Sequence, residues 1–388
     1  MYLDGPYVLL DSEEGTRIAP DPADFPFLLF VCEVGRHFES LLLFARAESG
    51  ETDDRQRLPP DVRVVPLPPY GNLQNIFPLL SATRPALKAF WHGLSEVDGV
   101  WIFGPHPHGL LLAALARIRG KRVVLGVRQD TVAYFRARLR SNRRTLLAIV
   151  QLLDLIHRLL ARRLSATVVG GHNVQRYRGP RPGLLDMTVS LVRSEDIVAM
   201  PVAKSWDGQI ELLTVGRVDL EKNPLLLIEA LGHLQRRHPG RYRLTWVGTG
   251  PLEEIVEKRA AELEIGHLVA LRGFVPFGPE LLQIYRSAHA FVHVSITEGM
   301  PQVLVEALAA GLPAVATDVG GVRAALDDGR AGLLVPPRDL PALVEAILRL
   351  SEDRDLRAEL VTRGLELVRH LTLEQQSERV ARFLMLES

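Results

Sequence analysis

The sequence predicts an α/β protein of two domains, each a parallel sheet with helices on both faces. Short apolar runs alternate with segments of helical period from end to end, the pattern of strand–helix–strand units. At 388 residues the chain is long for one core and comfortable for two of nearly 200 each. Hydrophobic content of 47% and charged content of 24%, without low-complexity tracts or internal repeats, describe a globular chain.

In the first half, strands are expected over 7–10, 41–45, 62–66, 99–103, 121–127 and 166–170, with a last one over 187–192. Helices are expected over 24–38 and 79–92, and a polar, proline-ended loop over 50–60. Gly104-Pro105-His106-Pro107-His108-Gly109 falls where a strand ends and a helix begins, the edge at which open α/β sheets bind ligands. His106 and His108 are therefore candidates for acceptor contact. A helix-capping or loop role and, with no further ligand at useful spacing, a metal pair are the alternatives. Arg128, at the end of the 121–127 strand, can hold an oxyanion in bidentate fashion or pair with Asp130.

From Arg128 to Arg163 nine arginines face two acids, while Leu146, Ile149, Val150, Leu153, Ile156 and Leu160 recur at helical spacing. Such a helix either packs on the sheet with an arginine-rich outer face or lies on an anionic membrane through Arg140, Arg143, Arg144, Arg158 and Arg162. The chain holds only five lysines among its 46 basic residues, so arginine-rich segments carry less weight and a lysine carries more.

A domain boundary is expected near 196–205, giving domains 1–197 and 198–370 and a last helical segment 371–388. The second half starts with a strand over 210–215, then Gly216-Arg217, Lys222 and Pro224, which opens a helix over 225–237. A glycine turn and two cations before a helix N-terminus suit a diphosphate. Strands over 242–247, 269–273, 290–294, 314–317 and 332–335 alternate with helices over 252–263, 340–351, 355–369 and 372–385. The stretch SITEGMPQVLVEALAAGLPAVATDVGG, residues 295–321, organises this half. Its helix, over 300–310, places Glu306 among Val303, Leu304, Val305, Ala307 and Leu308, where a carboxylate needs a polar partner. Glu298 lies in the loop feeding that helix, whose free N–H groups suit an anionic or hydroxylated ligand.

The Glu298-x7-Glu306 spacing, with Gly299 and Pro301 after the first Glu and Gly320-Gly321 after the next strand, resembles the retaining glycosyltransferases of family 4. The resemblance is strong over 213–337 and weak before residue 190. It implies the GT-B fold: two Rossmann-like domains facing across a cleft, with the C-terminal helix crossing back to the first. It also implies transfer of a sugar from a nucleoside diphosphate donor to an acceptor hydroxyl, with retention and without metal or other cofactor. Glu298 would lie by the donor sugar and Glu306 on the ribose hydroxyls. The loop of Gly299, Met300, Pro301 and Gln302 would hold sugar and phosphates through its free backbone N–H groups, Gly216, Arg217 and Lys222 would hold the departing diphosphate, and Gly273, Phe274 and Val275 would read the base. The chain departs from the family twice: no glycine pair follows the first strand, where DSEEGTRIAPD stands, and no histidine occurs over 127–131. A noncatalytic sugar-nucleotide-binding subunit, an epimerase or a phosphorylase on the same scaffold are the rivals.

Zero formal net charge provides no global field for nucleic acid, and the single Cys32 excludes an intrachain disulfide. The N-terminal stretch has no signal-peptide pattern and no run reaches 18 apolar residues, so a cytoplasmic enzyme is expected, membrane-associated only if the basic helix docks.

Overall fold

The computed structural model describes the chain except for residues 13–14, 21–24, 50–55, 58–61, 71–75, 139–143, 180–182, 201–203 and 387–388. The chain divides into two compact units, Met1–Val189 with Glu374–Ser388, and Ser190–Leu373.

The first unit contains β1 (Tyr2–Ser12), β2 (Gly15–Pro20), β3 (Leu41–Ser49), β4 (Gln56–Arg57), β5 (Val62–Leu67), β6 (Gly99–Gly104), β7 (Arg122–Val127), β8 (Ser165–Val169) and β9 (Leu184–Met187). Its parallel part runs β5-β3-β1-β6-β7-β8-β9, with Tyr2 opposite both Phe44 and Ile102. The buried side chains of Tyr2, Phe44, Phe90, Ile102 and Leu125 belong to one of its cores. The first strand thus starts well before residue 7, and its 7–12 part pairs antiparallel with β2, which pairs in turn with β4. GTRIAP, part of the stretch that stands in place of the family's glycine pair, is a strand paired antiparallel with β1. Part of the loop expected over 50–60 lies outside the described residues, and Gln56–Arg57 is strand. The strand expected over 187–192 is also corrected. β9 ends at Met187, and the apolar residues beyond it are buried by packing, Val192 in the core of the second unit. The basic segment forms two helices, Thr131–Arg138 and Arg144–Ala161.

The second unit contains β10 (Ile210–Val215), β11 (Tyr242–Val247), β12 (Val269–Leu271), β13 (Ala290–His293), β14 (Ala314–Thr317) and β15 (Leu333–Val335), all parallel in the order β12-β11-β10-β13-β14-β15. Along β10, Ile210 and Leu212 enter one core while Leu213 and Val215 enter the other. Along β13, Ala290 and Val292 take the first face and Phe291 the second. This two-residue period with both faces buried explains why the strands read as uninterrupted apolar runs.

The helix Leu373–Leu386 begins where the second unit ends and belongs to the first unit from Glu374 onward. Gln376 and Ser377 are buried there: the Thr188 N–H donates to Gln376 Oε1 at 3.3 Å, and Ser377 Oγ lies 3.4 Å from His37 Nε2.

Candidate active site

In the second unit the chain builds outward from β10 to β11 and β12, then returns to place β13 beside β10. Open parallel sheets bind ligands at such a reversal, beyond the carboxyl ends of the two strands that flank it. The loop after β10 carries Lys222 and the loop after β13 carries Glu298, and the Lys222 ammonium pairs with Glu298 Oε1 across the switch point. Two further donors reach the same oxygen: Ser295 Oγ at 2.6 Å and His293 Nε2 at 2.9 Å. Burial disfavours the charge on Glu298, but Lys222 and His293 outweigh it and hold the carboxyl well below its usual range. His293 is itself fully enclosed at the end of β13, and burial lowers its pKa despite Glu298, so it stands neutral and donates from Nε2.

The backbone around this carboxylate is set by contact. Gly320 has φ +52°, and a Cβ there would overlap the Glu298 carbonyl oxygen; one on Gly321 would overlap that of Gly299. The glycine pair after β14 therefore seats the Glu298-Gly299 backbone directly against its own. Thr317 Oγ1 donates to the Ser295 carbonyl at 2.6 Å, and Ile296 N–H to the Glu221 carbonyl at 2.7 Å, fastening the two loops.

The helix Gln302–Ala309 follows, with Pro301 as its N-cap and no side-chain cap hydrogen bond among the described residues, which leaves its first N–H groups open to a ligand. Glu306 is buried on this helix, and its partner is Tyr285, whose hydroxyl donates to Oε2 at 2.8 Å. Burial pushes the Glu306 carboxyl up to about 7, against the lowering effect of that hydrogen bond. Burial also raises the Tyr285 phenol well above its ordinary value, so it remains a donor at neutral pH.

Arg217 is half exposed and pairs with Asp219 at 2.9 Å and Glu221 at 3.1 Å. Asp219 also caps the turn Leu220–Lys222 by accepting from the N–H groups of Glu221 and Lys222. Gly216 packs against the Lys222 stem, and its carbonyl accepts from Trp246 Nε1 at 2.9 Å. The Gly273 carbonyl accepts from Gly248 N–H at 2.7 Å, after which Phe274 is exposed and Val275 partly buried. Gly299, Met300 and Gln302 are partly buried and Pro301 buried. Lys222 and Glu298 are thus in direct contact, with Gly216 beside Lys222 and Arg217 held on the same turn.

The first unit's candidates behave differently. His106 caps the helix Pro107–Ile118, its Nδ1 accepting from the His108 N–H at 3.2 Å, and its Nε2 lies 3.0 Å from the Tyr70 hydroxyl. His108 Nε2 lies 2.8 Å from Thr83 Oγ1, which donates to the Leu79 carbonyl. Both histidines are buried in this network. The Arg128 guanidinium lies 4.1 Å over the Phe27 ring, while Asp130 pairs with Arg176.

Tyr285, His293 and Ser295 were not foreseen. A histidine inside the apolar run AFVHV was a signal that something polar waited at that strand end, whereas nothing local to Tyr285 linked it to Glu306.

Residues 199–366 match the family described as Glycosyl transferases group 1. Among curated proteins, the chain is 31% identical over 205 residues to D-inositol 3-phosphate glycosyltransferase of Nocardia farcinica, covering 52% of this chain and 42% of that protein. It is 42% identical over 164 residues to the Frankia alni protein of the same name, covering 40% of this chain and 39% of that one. The matched stretch thus spans about two fifths of these relatives. Among solved structures, sucrose-phosphate synthase from Thermosynechococcus elongatus superposes with a TM-score of 0.72 at 20% identity, over 93% of this chain and 94% of that one. Anabaena HepE, solved in complex with UDP, gives 0.69 at 16% identity over 99% of both chains. The chain has the GT-B fold, and its residues 199–366 are similar to the group 1 glycosyl transferases.

Proposed function

We propose that the protein transfers a sugar from a nucleoside diphosphate sugar to an acceptor hydroxyl, with the anomeric configuration retained and without a metal ion. One observation carries the reading: Lys222 and Glu298 meet across the switch point of the second sheet, inside the segment that matches the family. Breaking the donor's glycosidic bond leaves negative charge on the diphosphate and positive charge on the sugar. Arg217, Lys222 and the N–H groups at the start of the helix Gln302–Ala309 supply the first with counter-charge, the part a divalent ion plays elsewhere. Glu298, ionised and with its described donors gathered on Oε1, keeps Oε2 for the sugar. Glu306 takes the ribose hydroxyls, and Gly273, Phe274 and Val275 border the base.

The hairpin of β1 and β2, standing where the family places a glycine-rich turn, favours a second reading as a noncatalytic sugar-nucleotide-binding subunit. A thermal-shift screen over common sugar nucleotides identifies the donor, since occupancy raises the melting temperature. Turnover of that donor with and without acceptor extract then separates enzyme from binding subunit. Similar nucleoside diphosphate affinity with and without chelator supports the metal-free mechanism; a requirement for magnesium or manganese ends it.

A further inference from the structure

The helix Arg144–Ala161 is apolar on two sides, one turned inward and one outward. Its buried face is Val150, Asp154 and His157, while Ile149, Leu152, Leu155, Ile156 and Leu159 are 36–56% exposed. Positions 149, 152, 156 and 159 fall at i, i+3, i+7 and i+10 and form one stripe, with Leu155 at its border. The inner face is secured by charge. Asp154 pairs with Arg158 at 3.0 Å and Arg176 at 2.9 Å, and accepts from the Tyr177 hydroxyl at 3.0 Å. The inner side also carries the partly buried Leu146, Leu147, Leu153 and Leu160, the last packed with Ala161 on the core, so the helix is already anchored inside and its outward stripe is a second apolar face. Of the arginines assigned to this surface from sequence, Arg140 and Arg143 lie outside the described residues.

Arg144 at the start and Arg162 and Arg163 just past the end of the helix are exposed. Asp154 is the single carboxylate between residues 144 and 163, and it is buried. The outward surface is thus apolar along its length and cationic at both ends. A second copy of the chain is a poor occupant. Antiparallel pairing of two such stripes would set Arg144 against Arg162 and Arg163, parallel pairing would set each against itself, and no exposed acid on the helix would neutralise either. No described helix is long and apolar enough to cross a membrane.

We propose that this helix seats the protein on an anionic lipid surface, lying in the plane of the interface. The leucine stripe enters the boundary between headgroups and acyl chains, and the terminal arginines meet lipid phosphates. The inference stands independently of the sugar-transfer reading.

Flotation of the full chain with phosphatidylcholine vesicles, with and without phosphatidylglycerol, tests it. Binding is expected only to the anionic vesicles and should weaken with salt. Leu152→Ser with Leu159→Ser should lower vesicle affinity about tenfold or more, since both lose buried apolar area. Arg144→Gln and Arg162→Gln should each lower it roughly fivefold and flatten the salt dependence. All four positions are exposed, so melting temperatures should stay near the parent value. Equal recovery with neutral and anionic vesicles, or undiminished binding by the leucine variant, overturns the proposal. So does a dimer in sedimentation velocity that the leucine variant dissociates, since the stripe would then be covered by a second copy.

Discussion

Tyr285, fully buried, donates a hydrogen bond of 2.8 Å to Glu306, which is itself only 6% exposed. The carboxyl so enclosed has its pKa raised from 4.5 to about 7. Between those values the folded protein binds a proton that the unfolded chain has released, so stability is greatest below about 4.5 and falls as pH rises through 7. The loss amounts to about 3 kcal/mol for a shift of this size. Denaturant titrations from pH 4.5 to 8 should show that slope in the parent protein and not in Glu306→Gln. A parallel slope in the variant would place the titration elsewhere.

The two carboxylates should divide between binding and chemistry. Hydrogen bonds from ribose hydroxyls to Glu306 exist equally in ground and transition states, so Glu306→Ala should chiefly raise the donor KM. Glu298→Gln should lower kcat by roughly ten- to a hundredfold with nucleotide affinity nearly intact, the size of one charged hydrogen bond. Steady-state kinetics beside calorimetric binding, on variants with normal melting temperatures, decide this. Full activity in Glu306→Ala and Arg217→Ala would make residues 295–321 purely structural.

Lys222 and Glu298 are both largely enclosed, so removing one should cost more than removing both. Lys222→Met alone leaves a buried carboxylate short of its main counter-charge, for about 3 kcal/mol or more. The pair Lys222→Met with Glu298→Gln should recover part of that loss in a double-mutant cycle. Additive losses would show that the two do not share one charge balance.

In the other unit the slope reverses. His157 is buried, neither ring nitrogen has a hydrogen-bond partner among the described residues, and burial lowers its pKa from 6.5 to about 4. Below pH 6.5 the unfolded chain gains a proton that the folded unit refuses, so stability falls as pH drops and reaches a loss of about 3 kcal/mol near pH 4. A His157 ring resonance titrating near 4 and a weaker acid response in His157→Leu are the expected results. A midpoint near 6.5 would mean that the ring is hydrated.

Much of the second unit was legible because its central strands β10, β13 and β14 have buried residues on both faces, and because β10 and β11 end at Gly216 and Gly248. Lys222 and Glu298 were legible as loop residues before helix starts, but their contact across the switch point depends on β13 returning to β10, which no local pattern encodes. The same holds for Tyr285. Its own helix, Pro279–Ser287, has to pack on Gln302–Ala309 before the hydroxyl finds Glu306. The basic helix shows a different limit. Periodicity identified an amphipathic segment, yet it could not say that Asp154 and His157 would share the inner side with Val150, leaving Ile149 and Ile156 of the expected stripe outside. The first strand was legible only over 7–10, because the partners that extend it to Ser12 lie on β2, across an antiparallel pairing that no local pattern encodes.

The order of the units along the chain bears on biosynthesis. Residues 190–373 are contiguous, whereas the unit that begins at the N-terminus also requires Gln376 and Ser377. Domains emerging from a ribosome usually complete themselves in the order they are made. Here residues 190–373 hold all their own parts first, and the half translated earlier waits, with its site for the helix Leu373–Leu386 uncovered, until the whole of the later half has been made.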